Sequence, residues 1–303
     1  MTIAITGATG FVGQAVLDVG TGGRHAMRAL TRRPQTPRGG VAWVEGSLDD
    51  ATSLARLVKG ADAVLHIAGL TSAVRPEEFD RVNVEGTARV IDAARGAGAK
   101  RLIFVSSLSA REPGLSVYGG SKNRAEALVK DSALDWTIVR PPAVYGPRDR
   151  EMFELFRAAQ SGIVPLPPRG RASLIHVEDL ARLLVALAGA GPEISGTTLE
   201  PDDGRSGGYA HRDLAQLIGQ AVGRRRVFAP HLPKALLMAA ARADRLVRGR
   251  KAKLTPDRAG YMAHPDWVCD PAKAPPAAFW TPRLEGGEGM AATAAWYREQ
   301  GWL

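Results

Sequence analysis

Tyr118 and Lys122, in the run Tyr118-Gly119-Gly120-Ser121-Lys122, are spaced i to i+4, which puts a phenol and an ammonium on one side of a helix. A phenol titrates near 10 and exchanges protons poorly at neutral pH until a nearby cation favours its anion. Lys122 supplies that cation. Tyr118 is then equipped to give a proton to a carbonyl oxygen as hydride reaches its carbon, or to remove one in the reverse direction. Such a pair occurs by chance in many chains. Here it follows a strand-like run ending in Phe104-Val105-Ser106-Ser107, and that position gives it weight.

The second chemical pattern is Thr6-Gly7-Ala8-Thr9-Gly10-Phe11-Val12-Gly13, directly after the apolar start at Met1 to Ile5. A strand that turns on glycines into a helix aims unpaired backbone N–H groups and a positive helix end at one spot, where a pyrophosphate can sit. Glycines at 7, 10 and 13 arise easily in a chain with 34 of them. Their place between a first strand and a helix, with a second strand at βαβ distance, makes them a dinucleotide site. That second strand ends in Leu30-Thr31-Arg32-Arg33 rather than in an acid. Guanidiniums there suit a 2′-phosphate, which a carboxylate would repel; NADP is the expected cofactor, with NAD as the other choice.

Strand-like runs at Ile3 to Ile5, Met27 to Leu30, Val41 to Val44, Ala63 to Ile67, Leu102 to Ser106 and Trp136 to Val139 must position these groups. Amphipathic segments such as Gly13 to Val19, Ser53 to Lys59, Val84 to Arg95 and Ser121 to Lys130 separate them. Strand and helix in alternation predict an α/β fold: a Rossmann-type doubly wound parallel sheet with a smaller C-terminal substrate lobe. After Pro141 clusters of proline and glycine break the pattern. The expected division is a dinucleotide-binding domain over 1–148, with sheet contributions from about 172–200, and a substrate-binding lobe over 149–171 and 201–303.

The glycine spacing and the Tyr-x-x-x-Lys pair together resemble the extended short-chain dehydrogenase/reductase family, which includes the NAD-dependent epimerases and dehydratases. The resemblance implies that the hydroxyl holding the substrate oxygen comes from the strand-end serines: Ser107 first, Ser106 second, Ser109 third. A plain strand-end cap is the other reading. It implies cofactor contacts from Gly7, Thr9, Gly10, Phe11, Val12 and Gly13, from Arg32 and Arg33, and from Tyr118 and Lys122 themselves. Gly46-Ser47-Leu48-Asp49 resembles the adenine-holding Gly-Asp-Leu/Ile segment, with Ser47 in place of the aspartate and Leu48 against the ring. His66-Ile67-Ala68-Gly69 resembles the segment beneath the nicotinamide ribose, where Ala68 and Gly69 lie close and His66 is read as structural. Asn83 resembles the start of the family's Asn-Val-x-Gly-Thr helix, as a cofactor contact or as a helix cap.

Arg140-Pro141-Pro142-Ala143-Val144-Tyr145-Gly146-Pro147 resembles the turn beside the nicotinamide carboxamide, which implicates Pro141 and Val144. Leu174 to Ala181 resembles the family's His-Val-x-Asp helix start, with His176 and Asp179 structural. Sugar-nucleotide enzymes of the family commonly carry asparagine where Ala143 stands and arginine where Ala172 stands. Their loss tilts the expectation to the reductase and hydroxysteroid-dehydrogenase-like branch. The expected reaction is hydride transfer between NADP(H) and the ketone or secondary alcohol of a small, apolar substrate. The alternatives are a sugar-nucleotide epimerase or dehydratase with tightly bound NAD, and a non-catalytic NADP-binding assembly or sensor protein.

At 303 residues, 45% hydrophobic and 23% charged, the chain has the size and composition of a globular protein. Its net charge of +9 favours anionic partners, and an anionic dinucleotide meets that; no nucleic-acid-binding motif is present. Cys269 is the only cysteine, so neither an internal disulfide nor a cysteine metal cluster forms, and no metal is expected. No leader-like or membrane-spanning segment is evident, and the expected location is cytoplasmic. Pro233 to Lys253, with Leu236, Leu237, Met238 and Leu246 beside Arg242, Arg245, Arg248, Arg250 and Lys251, is basic and amphipathic. A packed helix with a solvated basic end is the favoured reading, ahead of a roof over an apolar pocket or peripheral contact with an anionic membrane. A homodimer through Val84 to Arg95 and Ser121 to Lys130 suits the family.

Overall fold

The structure, a computed structural model, describes residues 1–23, 25–249, 252 and 254–303. In chain order the elements are β1 (Thr2–Thr6), α1 (Phe11–Thr21), β2 (Ala26–Thr31), β3 (Val41–Glu45), α2 (Ala51–Val58), β4 (Ala63–His66) and α3 (Pro76–Phe79). A π-helical stretch, Asp80–Glu85, leads to α4 (Gly86–Gly96), β5 (Arg101–Val105), α5 (Val117–Lys130) and β6 (Asp135–Val139). Then come β7 (Ala143–Tyr145), α6 (Arg150–Gln160), β8 (Arg171–Ala172), β9 (Leu174–His176), α7 (Val177–Ala188) and β10 (Thr197–Leu199). The chain ends with β11 (Tyr209–Ala210), α8 (His211–Ala221), α9 (Lys234–Arg248), α10 (Pro256–Met262), β12 (Asp266–Trp267) and α11 (Gly286–Glu299).

The first unit, Met1–Pro141 with Glu178–Glu200, is built on a seven-stranded sheet in the order β10-β6-β5-β4-β1-β2-β3. Every neighbouring pair is parallel, so the fold is the expected Rossmann-type doubly wound sheet. Both faces of its central strands are buried, as parallel sheets require. Ala4, Val64, Leu102 and Phe104 pack with Leu54, Leu57, Val90, Ile91, Ala125 and Val129 of α2, α4 and α5. The alternate residues Ile3, Ile5, Leu65 and Ile103 are equally buried on the other side. Strand order reverses between β1 and β4, and at such a switch point the carboxyl ends of the strands leave a crevice.

Two differences from the sequence expectation have clear causes. The unit boundary falls at Pro141 and not near 148, because β7 pairs with β9 in a separate two-stranded sheet. From the 172–200 segment only β10 joins the large sheet. The helix expected from Val84 begins eight residues earlier, at Pro76, and passes through the π-helical stretch without a break, so Asn83 lies within it and does not cap it.

The second unit, Pro142–Val177 with Pro201–Leu303, has its own core around Tyr145, Phe156, Leu174, Tyr209, Ile218, Met290 and Tyr297. The Tyr297 hydroxyl donates to the Asp149 carbonyl at 2.6 Å and that of Tyr209 to the Asp203 carboxylate at 2.6 Å. Of the basic stretch, Arg250, Lys251 and Lys253 lie outside the described residues, as does the side chain of Arg245.

Gly7 and Gly13 are required by close approach. Gly7 has φ +77°, and a Cβ on it would stand 2.6 Å from the Ala68 amide nitrogen; one on Gly13 would stand 2.1 Å from the Gly7 carbonyl oxygen. At Gly10 the corresponding distance is 3.3 Å. Urea unfolding is expected to show Gly13→Ala destabilised by about 1–3 kcal/mol as α1 is pushed from β1, with Gly10→Ala clearly milder.

Candidate active site

Helix α1 starts at Gly10 with no side-chain cap and no acid in its first turn. Its leading N–H groups therefore lack a side-chain acceptor, and Thr9, Phe11 and Val12 frame them where an anionic group is favoured. Arg32 and Arg33 are exposed just past β2, and neither guanidinium has an ion-pair partner among the described residues. The Thr31 hydroxyl braces that turn, donating to the Arg33 carbonyl at 2.6 Å and accepting the Arg33 N–H at 3.3 Å. Beyond β3, the Ser47 hydroxyl accepts the Asp49 N–H at 3.2 Å, while Leu48 packs on the core beside Gly86. A glycine cradle that a Cβ would fill, an uncapped helix start and two open guanidiniums together fit a dinucleotide.

His66 ends β4 fully buried. Its Nδ1 lies 2.6 Å from the Thr6 hydroxyl and its Nε2 3.0 Å from that of Thr87. Thr87 already donates its proton to the Asn83 carbonyl at 2.6 Å, so His66 must donate from Nε2 and accept at Nδ1. Burial, aided by the Lys122 charge, lowers its pKa to about 3. It is a neutral strut. Thr6 in turn accepts the Ala68 N–H at 3.3 Å, fixing the Ala68-Gly69 backbone over β1.

Asn83 is fully buried and holds two residues through three hydrogen bonds. Its Oδ1 accepts the Leu70 N–H at 2.7 Å, and its Nδ2 donates to the Leu70 carbonyl at 3.0 Å and to the Ser121 hydroxyl at 2.9 Å. The helix-cap reading is thus replaced by a clamp that ties the loop after β4 to α5. Nothing in the sequence singled out Ser121 for this, since its partners are distant in the chain.

Helix α5 begins at Ser116, whose hydroxyl accepts the Gly119 N–H at 2.9 Å, so Tyr118 stands in the first turn, half-buried, with the Phe79 ring centroid 6.0 Å away. Lys122, one turn on, is buried. Its Nζ donates to the Val105 carbonyl at 2.8 Å, sits 4.3 Å from the Phe104 ring centre and lies beside Gly69. Burial lowers its pKa from 10.5 to about 7, with the Glu126 charge opposing the shift.

The strand-end serines separate by their partners. Ser106 is buried and donates to Glu126 at 2.6 Å. Glu126 also receives Arg140 at 2.8 and 2.6 Å, and Arg140 reaches Glu200 at 3.4 Å. Donating to Glu126 raises the pKa of Arg140 further, and the network leaves Ser106 no proton for a ligand. Ser107 accepts from the Ser109 N–H at 3.2 Å and from the Ser109 hydroxyl at 2.9 Å, which leaves its own proton to donate. Residues 108–111 form a short 3₁₀ helix against α5, where Asn123 donates to the Ala110 carbonyl at 3.1 Å and Gly119 meets the Ser109 carbonyl. Ser107, Tyr118 and Lys122 thereby share one corner of the first unit, at the ends of β4 and β5. Pro141 adjoins it, its carbonyl accepting the Leu108 N–H at 3.0 Å; Val144 belongs to the second unit.

Residues 3–196 match the model of the NAD dependent epimerase/dehydratase family. The chain belongs to this family. It is an NAD(P)-dependent enzyme of the extended short-chain dehydrogenase/reductase type, which removes the non-catalytic alternative. The ceramide reductase of Caulobacter vibrioides is 36% identical over 99% of this chain and 96% of its own. The UDP-glucose 4-epimerase of Vibrio cholerae is 29% identical over 61% of this chain and 65% of its own. Among solved structures, that of gox2253 superposes with TM-score 0.78 and 25% identity over 100% of this chain and 99% of the other. MoeE5 in complex with UDP-glucuronic acid and NAD does so at 0.74 and 23%, covering 99% of each chain, and shares the fold.

Below pH 7 the folded enzyme pays the full penalty of a buried ammonium. Between about 7 and 10.5 the unfolded chain binds the proton that folded Lys122 has given up, so this residue makes stability rise with pH across that window. Denaturant unfolding from pH 7 to 10 is expected to show this rise in the unmodified enzyme relative to Lys122→Met.

Proposed function

We propose that this enzyme is an NADP(H)-dependent oxidoreductase acting on the ketone or secondary alcohol of an apolar, ceramide-like lipid. The observation that carries the reading is the near full-length similarity to the ceramide reductase, at 36% identity, joined to a Ser107-Tyr118-Lys122 corner. Ala143 and Ala172, where sugar-nucleotide enzymes commonly carry asparagine and arginine, support a substrate without a nucleotide handle. Arg32 and Arg33 support the 2′-phosphate of NADP.

When bound, the nicotinamide supplies hydride to the substrate carbon or accepts it. Ser107 offers its unclaimed O–H as a hydrogen bond to the substrate oxygen, keeping the proton, and orients that oxygen. Tyr118 delivers the one proton that the oxygen takes up in reduction and withdraws it in oxidation. Lys122, close to its own titration point, stabilises the phenolate through its charge and contributes donors toward the ribose hydroxyls. Asn83 and Ser121 hold the Gly69-Leu70 backbone against α5, and the neutral His66 adds no competing charge. Gly7, Gly10 and Gly13 admit the pyrophosphate to the helix start.

A sugar-nucleotide epimerase is the second reading, favoured by the similarity to the Vibrio cholerae enzyme. Protein purified with firmly held NAD, and inert toward lipid ketones with NADPH, would establish it and displace the reductase.

Two measurements test the proposal. Tyr118→Phe is expected to lower kcat by about 10²–10⁴ with NADPH affinity and melting temperature unchanged; wild-type turnover would remove Tyr118 from the chemistry. Arg32→Ala is expected to weaken NADPH at least about tenfold, the scale of a charge-assisted hydrogen bond, and to leave NADH within about twofold. Equal affinities for the two cofactors in the unmodified enzyme would refute the 2′-phosphate reading.

A further inference from the structure

Helix α9 is apolar on both sides. Its inner side, Leu237, Met238 and Ala241, packs with Leu254, Ala259 and Met262, as the packed-helix reading expects. Its outer side departs from that reading. Leu236, Ala239, Ala240, Ala243, Leu246 and Val247 are all exposed, with Leu246 at 86%, Val247 at 84% and Leu236 at 52%. Spaced i, i+3, i+4, i+7, i+10 and i+11 from Leu236, they form one stripe ~16 Å long at 1.5 Å per residue. A solvated helix would show polar residues there.

Arg242 flanks the stripe, Lys234 opens the helix in line with its inner side, and no acid lies on the stripe. Lys234 and Arg242 are exposed, without an ion-pair partner among the described residues. Asp244 turns inward, accepting the Leu254 N–H at 2.9 Å and pairing with Arg248 at 3.2 Å. In the same unit, Phe228, shortly before α9, is 68% exposed beside the exposed Arg225 and Arg226, and its bridge partner Ile163 is 52% exposed. A second copy of this chain would bring like charges together, whereas an anionic lipid surface complements both features.

We infer that the outer side of α9 docks on anionic lipid bilayers, its apolar stripe entering the interface and Arg242 meeting lipid phosphates. Among the described residues no helix is long and apolar enough to cross a membrane, so the contact is peripheral. The inference rests on this surface and not on the proposed reaction.

Vesicle flotation with the full chain tests it, using phosphatidylcholine vesicles with and without phosphatidylglycerol. The enzyme is expected to float with the anionic vesicles, to stay down with pure phosphatidylcholine, and to be released by about 0.5 M NaCl. Leu236→Glu/Val247→Glu and Arg242→Glu should each lower partition at least about tenfold. Their melting temperature, NADPH affinity and turnover of a short water-soluble ketone should be unchanged, since these side chains are exposed. Failure to float with anionic vesicles, equal flotation with both compositions, or undiminished flotation of the variants would overturn the inference. So would a dimer in light scattering that the Leu236→Glu/Val247→Glu variant disperses, because the stripe would then be covered by a second copy. A failed reductase assay with normal flotation would count against the reaction alone.

Discussion

The burial of the Lys122 ammonium is the constraint on which the site depends. Moving a lysine pKa from 10.5 to about 7 means several kcal/mol of disfavoured charge, at about 1.4 kcal/mol per unit. The first unit offsets it only in part. The Val105 carbonyl and the Phe104 ring face the ammonium. Glu126, the nearest carboxylate along the helix, is committed to Arg140 and Ser106. An ammonium with incomplete compensation interacts strongly with whatever anion or hydroxyl is brought beside it, and in the proposed reaction Tyr118 and the cofactor's ribose are the groups that gain.

That arrangement explains why the surroundings are so heavily tied. The loop after β4 carries Gly69 past Lys122 and would sag without support, so Asn83 grips Leu70 from a π-helical turn while also holding Ser121. Wide helical turns of this kind place a side chain where regular α geometry cannot. His66, packed between Thr6 and Thr87, joins β1, β4 and α4 with no charge, because a second buried cation near Lys122 would cost more than the fold could return. The Arg140-Glu126-Glu200 cluster fixes α5 against β6 and β10 and, by engaging Ser106, assigns the free hydroxyl to Ser107.

Much of the first unit was legible in the sequence. Alternating strands and helices, the glycines at 7, 10 and 13 and the Tyr118-Lys122 pair each follow from a local period or spacing, and local rules survive folding when the core reinforces them. The limits of the π-helical stretch were not legible, since a wide turn leaves no periodic mark. The choice among Ser106, Ser107 and Ser109 was not either. All have the same hydroxyl, and only the partners that folding supplies distinguish them: Glu126 from α5 takes the proton of Ser106, and Ser109 donates its own to Ser107. In the second unit, short strands between proline and glycine clusters carry too little pattern for their pairing to be read.

The sequence by itself determined which groups exist and which of them are near neighbours: a phenol one helical turn from an ammonium, and a glycine turn between a strand and a helix. Tertiary structure decided what those groups experience. Burial set the protonation of Lys122 and His66, long-range hydrogen bonds set the partners of Asn83 and Ser106, and packing on one side of α9 left its other apolar side outward. Desolvation and partner choice depend on atoms brought from distant parts of the chain, and residue order along one segment carries no record of them.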